Sequence, residues 1–175
     1  MSLTLIIPPT EEPVTLAAFK EHIKADTNAE DASLSGFLLA ARRWIEARYS
    51  LALVAQGWRL SLDCAEGAVT LPLSPVLSID SVGVVRGGIT ETLGAGAYEA
   101  QTGAVGRVRL KGLYPGAGLV IAFTAGWPSA DDVPEEMKLA IKLSAARSYE
   151  YREGGPPSVA PAVDALLSVY RRVQL

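Results

Sequence analysis

The residue types that carry chemistry are sparse in this chain. His22 is the single histidine among 175 residues. A Ser-His or Cys-His nucleophile would have to be built on it alone, inside a short helix expected to be exposed. Cys64 is the single cysteine, which excludes an internal disulfide and leaves that residue to be read as part of a strand. Asp131, Asp132, Glu135 and Glu136 cluster, and two readings compete: a carboxylate pair for proton transfer, or capping and dipole compensation at a helix start. Their place just before a long helical pattern favours the second. Gly94-Ala95-Gly96 lacks the third glycine and following helix of a dinucleotide loop, and no G-K-[ST] follows any glycine run. There is no Cys/His set at zinc spacing and no D-x-D-x-D-G loop for calcium. The expectation is a protein that is not an enzyme, with no catalytic residue, no metal and no cofactor.

Charge offers one further pattern. Arg107, Arg109 and Lys111 alternate with Val108 and Leu110, so one strand face carries three cations while the other packs inward. That face is either solvated or in contact with nucleic acid or an acidic partner. Aromatic residues do not interleave with the cations as they would in a single-strand stacking platform. Sixteen basic against nineteen acidic residues give a formal charge of -3, which argues against sequence-independent clamping of nucleic acid by the whole surface. The apolar share of 49% suits one globular domain with a real core. No apolar run reaches the roughly 18 residues needed to span a membrane. The start, M-S-L-T-L-I-I-P-P, has no basic n-region and is too short for a signal peptide, so the expectation is a soluble protein made in the cytoplasm.

The elements that would position these residues follow from periodicity. The strongest is Val133 to Arg152, with Asp132 as its expected cap, Pro134 in its first turn, and Gly154-Gly155-Pro156-Pro157 as its stop. Met137, Ala140, Ile141, Ser144, Ala145 and Ser148 share one face, while Leu139 and Leu143 form a second apolar stripe. A helix with two apolar faces needs two partners, and the second can be another subunit. Upstream, Ser2 to Pro9 reads as an apolar arm. Thr15 caps a short helix to about Lys24, and Asn28 or Asp31 caps another running to Tyr49. That helix carries Leu34, Phe37, Leu38, Ala41, Trp44 and Ile45 on one stripe, with Arg42, Arg43 and Glu46 facing away.

Near Gln56 the period changes from about 3.6 to 2, the signature of strands. About six are expected, with a bulge near Asp80-Ser81, where the apolar phase flips, and a hairpin turn at Arg86-Gly87-Gly88. Past residue 154 come a proline-rich linker and a short amphipathic helix over Val163 to Val173, suited to docking rather than to a self-contained core. The fold class is α+β: two N-terminal helices and one long helix near the C-terminus form a helical core, with an inserted antiparallel β region and a short C-terminal helix or tail. In domain terms, 1–14 is an N-terminal arm, 15–153 a single α+β domain with its β insert at about 56–125, and 154–175 a linker and docking segment.

The order of parts resembles the head-tail connector, or adaptor, family of long-tailed bacteriophages and gene transfer agents. The residues that carry the resemblance are V-T-L-A-A-F-K-E-H-I-K, A-A-R-R-W-I-E-A-R-Y-S-L-A-L-V-A-Q-G-W-R-L-S-L-D and L-P-L-S-P-V-L-S-I-D-S-V. They continue with F-T-A-G-W-P, D-V-P-E-E-M-K-L-A-I-K-L-S-A-A-R-S-Y-E-Y-R-E and V-D-A-L-L-S-V-Y-R. Their shared order runs across nearly the whole chain.

The resemblance implies a structural role as a homo-oligomeric ring, dodecameric in the particle, beneath the portal protein. Such a ring extends the DNA channel without sequence-specific binding and joins the capsid to the next neck, stopper or tail component. It implies a place in the neck of a phage-like particle, synthesis in the bacterial cytoplasm and no membrane partner. By the same analogy Leu166, Leu167, Val169, Tyr170, Arg171 and Arg172 are candidates for portal docking, and Leu139 and Leu143 for subunit contact. Arg86, Gly87 and Gly88 are candidates for a turn facing the channel or the next neck component. Arg107, Arg109 and Lys111 are expected outside the channel, because a cationic lumen would hold phosphates against passage. The alternatives are another neck or tail-completion protein, or a β-domain that binds carbohydrate or a small ligand.

Overall fold

The switch of period near Gln56 divides the molecule as well as the pattern. The computed structural model describes residues 1–151 and 160–170. They fold as two compact units, one of Met1–Thr10 with Val54–Pro128, the other of Glu11–Leu53 with Ser129–Leu175.

The first unit is all β. Strands β1 (Ser2–Ile7), β2 (Gln56–Leu62), β3 (Ala68–Thr70), β4 (Val76–Arg86), β5 (Ile89–Thr92), β6 (Tyr98–Gln101), β7 (Arg107–Leu110) and β8 (Gly118–Ala125) make two antiparallel sheets. The larger runs β1-β2-β8-β4-β5 and the smaller β3-β7-β6. Eight strands stand against the about six expected, and the one read as an arm, Ser2–Ile7, enters the sheet by pairing with β2. β1 stops where Pro8 and Pro9 remove the amides a longer strand would donate. β8 alternates strictly between buried and half-buried positions, and its register sets Ile121 opposite both Leu60 and Val82. Leu60, Val82, Val84, Leu119, Ile121 and Phe123 are buried on that one face, as a period of 2 requires.

The phase flip in β4 is a real bulge: its register against β8 slips between Ile79 and Ser81 and again between Val76 and Ser78. The β4–β5 hairpin turns through Gly87 and Gly88 at φ 56° and 81°, the paired left-handed conformations that a two-residue turn compatible with strand twist demands. Cys64, expected in a strand, instead lies exposed in the loop after β2. Gly126 ends β8 at φ +120°, and a Cβ there would sit 2.4 Å from the carbonyl carbon and oxygen of Val54. The close approach lets the Ala55 amide donate to the Trp127 carbonyl at 2.8 Å.

The second unit is helical: α1 (Leu16–Ile23), α2 (Asp31–Tyr49), α3 (Glu135–Glu150) and α4 (Ala160–Leu167). Thr15 caps α1 as expected, accepting from the Ala18 amide at 3.2 Å. Neither Asn28 nor Asp31 caps α2. The Asn28 amide oxygen and one Asp31 carboxylate oxygen accept instead from the Lys20 ammonium, at 2.5 and 2.8 Å, and Glu30 stands at the cap position with its carboxylate accepting from the Tyr149 hydroxyl at 2.9 Å rather than from a helix amide. Asp132 does not cap α3 either. It accepts from the Ser129 amide and hydroxyl, and the helix starts after Pro134, whose ψ of 140° is extended. Met137, Ala140, Ile141, Ser144 and Ala145 form the buried face of α3, which packs on α2; Ser148 is exposed.

The largest departure from the helical reading is on α2. Arg42, expected to face away, is only 5% exposed, and Trp44, expected inside, is exposed. Arg42 Nε and Nη2 donate to the two oxygens of Glu12 at 2.7 and 3.2 Å, and Nη1 donates to Glu46 at 2.8 Å. The other Glu46 oxygen accepts the Leu53 amide at 2.9 Å. A guanidinium can be buried here because two carboxylates neutralise it.

Two outcomes follow for stability. Arg42→Ala removes the cation that neutralises the half-buried Glu46 carboxylate and should cost about 3 kcal/mol in chemical denaturation. Gly126→Ala combines a strained φ with a backbone clash and should cost about 4 kcal/mol or prevent folding.

Candidate functional site

The groups that could have carried chemistry are occupied by structure or stand apart. Asp132 serves the Ser129 turn, Glu135 pairs with Lys138 at 2.9 Å, and Glu11 accepts the Ala130 amide at 2.8 Å. The Lys138 hydrogen bond, and then its charge, hold the Glu135 carboxyl below its ordinary value. His22 is exposed at the end of α1. Among the described residues no group of three or more His, Cys, Asp or Glu side chains is placed to hold a metal ion. None of the helices they form is long and apolar enough to cross a membrane.

What remains is surface, and in the helical unit it centres on α4. This short helix was expected to be a poor contributor to the core, yet Val163 and Leu167 are fully buried and α4 packs on α3. Polar contacts fix its seat. Arg48 Nε and Nη2 donate to the two oxygens of Asp164 at 3.0 and 2.9 Å, and the Tyr49 hydroxyl donates to the same carboxylate. Arg48 also lies over the Trp44 ring, 5.4 Å from its centroid, which explains how an exposed tryptophan is tolerated there. The Asp164 hydrogen bonds, first among the causes, hold the Arg48 guanidinium still further above its ordinary value. Burial, and then its bond to Asp164, raise the Tyr49 phenol.

The predicted docking residues are therefore divided by the fold. Leu167 is buried within the unit, Leu166 and Tyr170 are half-buried, and Val169 is 86% exposed in the 3-10 turn Ser168–Tyr170. Burial, with a smaller contribution from the Glu136 charge, raises the Tyr170 phenol. Arg171 and Arg172 lie outside the described residues.

The Leu139 and Leu143 stripe is divided as well. Leu139 is 39% exposed. Leu143 is half-buried in the wall of an open groove of about 560 Å³, together with His22, Ile23, Arg147, Tyr149 and Ala162. Arg147, also in that wall, lies over the Tyr151 ring at 4.6 Å.

In the β unit, Arg86, Gly87 and Gly88 form the exposed tip of the β4–β5 hairpin. Arg107 and Arg109 are exposed on β7 while Val108 and Leu110 are buried. They are less concentrated a cationic face than the sequence implies. Glu99 pairs with Arg109 in register across the sheet and approaches Lys111 to 3.9 Å. Asp164 was missed by sequence reasoning because a single acid on an amphipathic helix has no spacing signal; its role exists only once α2 is beside it.

Comparisons agree on one kind of assembly. No family model matches the sequence, and no curated protein matches it. Among solved structures, a chain in the neck of an empty gene transfer agent particle, computed with C6 symmetry, is 30% identical with a TM-score of 0.85. A chain in the virion of a native gene transfer agent is 29% identical with a TM-score of 0.86. A third, in the neck of a native particle computed with C12 symmetry, is 29% identical with a TM-score of 0.81. In each case the similarity covers 100% of this chain and 97% of the other.

The Tyr49 phenol gives a pH test of the α4 seat. Its folded pKa is raised, so the stability it contributes is intact below about pH 10 and is lost as the pH rises through the folded value. Denaturation midpoints of the wild type should fall more steeply above that pH than those of Tyr49→Phe. Leu167→Ala should cost about 3 kcal/mol, against less than about 0.5 kcal/mol for Val169→Ala, in the same denaturation assay.

With its full-length likeness to those neck chains, its α+β fold and the residue order set out above, the chain belongs to the head-tail connector, or neck, protein family of long-tailed bacteriophages and gene transfer agents.

Proposed function

We propose that this protein is the adaptor subunit of a phage-like particle neck. It forms a cyclic ring beneath the portal, lengthens the DNA channel and gives the next neck or tail component a surface to bind. Its role is structural and needs no reaction. The observation that carries this reading is the full-length similarity to chains of gene transfer agent necks solved with C6 and C12 symmetry. A subunit repeated around an axis needs two different surfaces that fit each other, because a self-complementary patch closes after two copies.

The surfaces fit such a role. Val169 and the exposed side of Leu166 and Tyr170 are the part of the C-terminal segment left for the portal, with Arg171 and Arg172 following. The buried side, Val163 and Leu167, is spent on seating α4. Leu139 is the apolar residue of α3 left for a neighbouring subunit. The hairpin tip at Arg86-Gly87-Gly88 reaches toward the lumen or the component below. Arg107, Arg109 and Lys111 lie outside the lumen, where their charge does not hold passing phosphates. The formal charge of -3 is consistent with a channel through which DNA slides.

Electron microscopy of the chain mixed with portal rings tests this. The full-length protein should add a ring of density under the portal. Removal of residues 168–175, which spares the buried Leu167, should abolish attachment without unfolding the subunit. Leu139→Asp should weaken ring formation while leaving the denaturation midpoint nearly unchanged. Failure of the full-length chain to attach to a portal or to form rings would remove the adaptor reading.

A further inference from the structure

The five-stranded sheet of the β unit ends in two open edges. Among the described residues β1 pairs only with β2, and β5 only with β4. An open edge presents a row of unpaired amides and carbonyls, and exposed edges are ordinarily guarded by charge, proline or a covering segment. β1 has little guard. Its six residues, S-L-T-L-I-I, carry no charge, and Leu5, Ile6 and Ile7 are 40%, 44% and 61% exposed. Only Pro8 and Pro9, beyond its end, limit it. At the opposite edge all four residues of β5 are exposed, with Ile89 at 76%.

The register relates the apolar β1 edge to the β5 edge, I-T-E-T, whose one apolar residue is Ile89. Leu3 stands opposite Leu60, Leu60 opposite Ile121, and Ile121 opposite Val82. Residues directly opposite share a face, as do residues two apart on a strand. Val84 therefore joins that face. Glu91, its partner, and Ile89, two residues earlier, join it too. Leu3, Leu5 and Ile89 thus lie on one face of one sheet, at its two ends. The direction of the strands is equally determined. Four successive antiparallel pairings separate β1 from β5, so, sheet twist aside, the two edge strands run in the same sense.

We propose that neighbouring copies of this chain join edge to edge, the β5 edge of one pairing in parallel with the β1 edge of the next. The pairing brings Ile89 of one copy beside Leu3 and Leu5 of its neighbour. This inference rests on the cyclic ring proposed above and names the contact within it. Two unlike edges at opposite ends of one sheet are the head-to-tail arrangement that a ring requires, whereas β1 against β1 would close as a pair. Sheet twist of about 20–25° per strand confines the seam to a short stretch, matching the four residues of β5.

Disulfide trapping on portal-bound rings tests the seam. The full-length chain carries Cys64→Ser with Leu5→Cys, with Ile89→Cys, or with both, and is oxidised and run on a non-reducing gel. The double variant should give a ladder beyond the dimer, with cross-linked product about tenfold above either single variant. A dimer from Leu5→Cys alone would show β1 facing β1 and overturn the proposal. So would a cross-link from Leu5→Cys to a different protein of the particle. Rings that form normally but give no ladder would overturn the seam and leave the ring reading standing. Absence of rings from the unmutated chain would remove both. As a variant independent of cysteine chemistry, Leu5→Lys should keep the wild-type denaturation midpoint and lose about tenfold in assembled ring; unimpaired assembly would overturn the seam.

Discussion

The helical unit depends on a buried cation. Arg42 sits inside, held by Glu12 before α1 and by Glu46 one turn further along α2, and Glu46 in turn holds the Leu53 amide where the chain leaves that unit. The approach to α1, the body of α2 and the exit from α2 are thus tied to one guanidinium. A buried charge is costly unless its partners are all in place, so the arrangement specifies a single way for these segments to meet. The apolar contacts between α2 and α3 could tolerate small slides, but a fork of three charge-assisted bonds does not.

That fixed frame gives the C-terminal helix its seat. Arg48 and Tyr49 lie one to two turns beyond Arg42 on the same helix, and Asp164 is held by both. The amphipathic α4 consequently divides its residues between two tasks. Val163 and Leu167 close the subunit's own core, and Val169 remains outside. A segment that is half anchored in its own subunit can present a small apolar contact in a definite direction, at a lower ordering cost on binding than a free peptide would carry.

The β unit follows a different constraint. Its core comes from strict alternation on one face, corrected by bulges in β4 so that Val82 and Val84 return to the buried side. Close backbone packing at Gly126 ends the central strand. Its exposed features, the hairpin tip, the β7 cations and the two sheet edges, belong to positions where the alternation points outward or pairing runs out. A neck subunit needs such surfaces more than it needs a pocket, and the sparse polar chemistry of the chain accords with its family.

The sequence by itself determined the order of elements, the change from helix to strand near Gln56, the bulge near Ser81, the turn at Gly87-Gly88 and the buried face of α3. These are set by local periodicity and by backbone conformations that only particular residues adopt, both readable along the chain. The order of parts also carried the family resemblance that the neck structures bear out. Tertiary structure alone decided that Arg42 is inside and Trp44 outside, that Asp132 and Asn28 serve other partners than helix caps, that Ser2–Ile7 completes a sheet, and that Asp164 seats α4. Each depends on a group distant in sequence: Glu12 for Arg42, Lys20 for Asn28, β2 for the first strand, Arg48 and Tyr49 for Asp164. A charge is placed by its neutralising partner and a strand by its neighbour's open hydrogen bonds, and neither leaves a periodic trace in the segment that receives it.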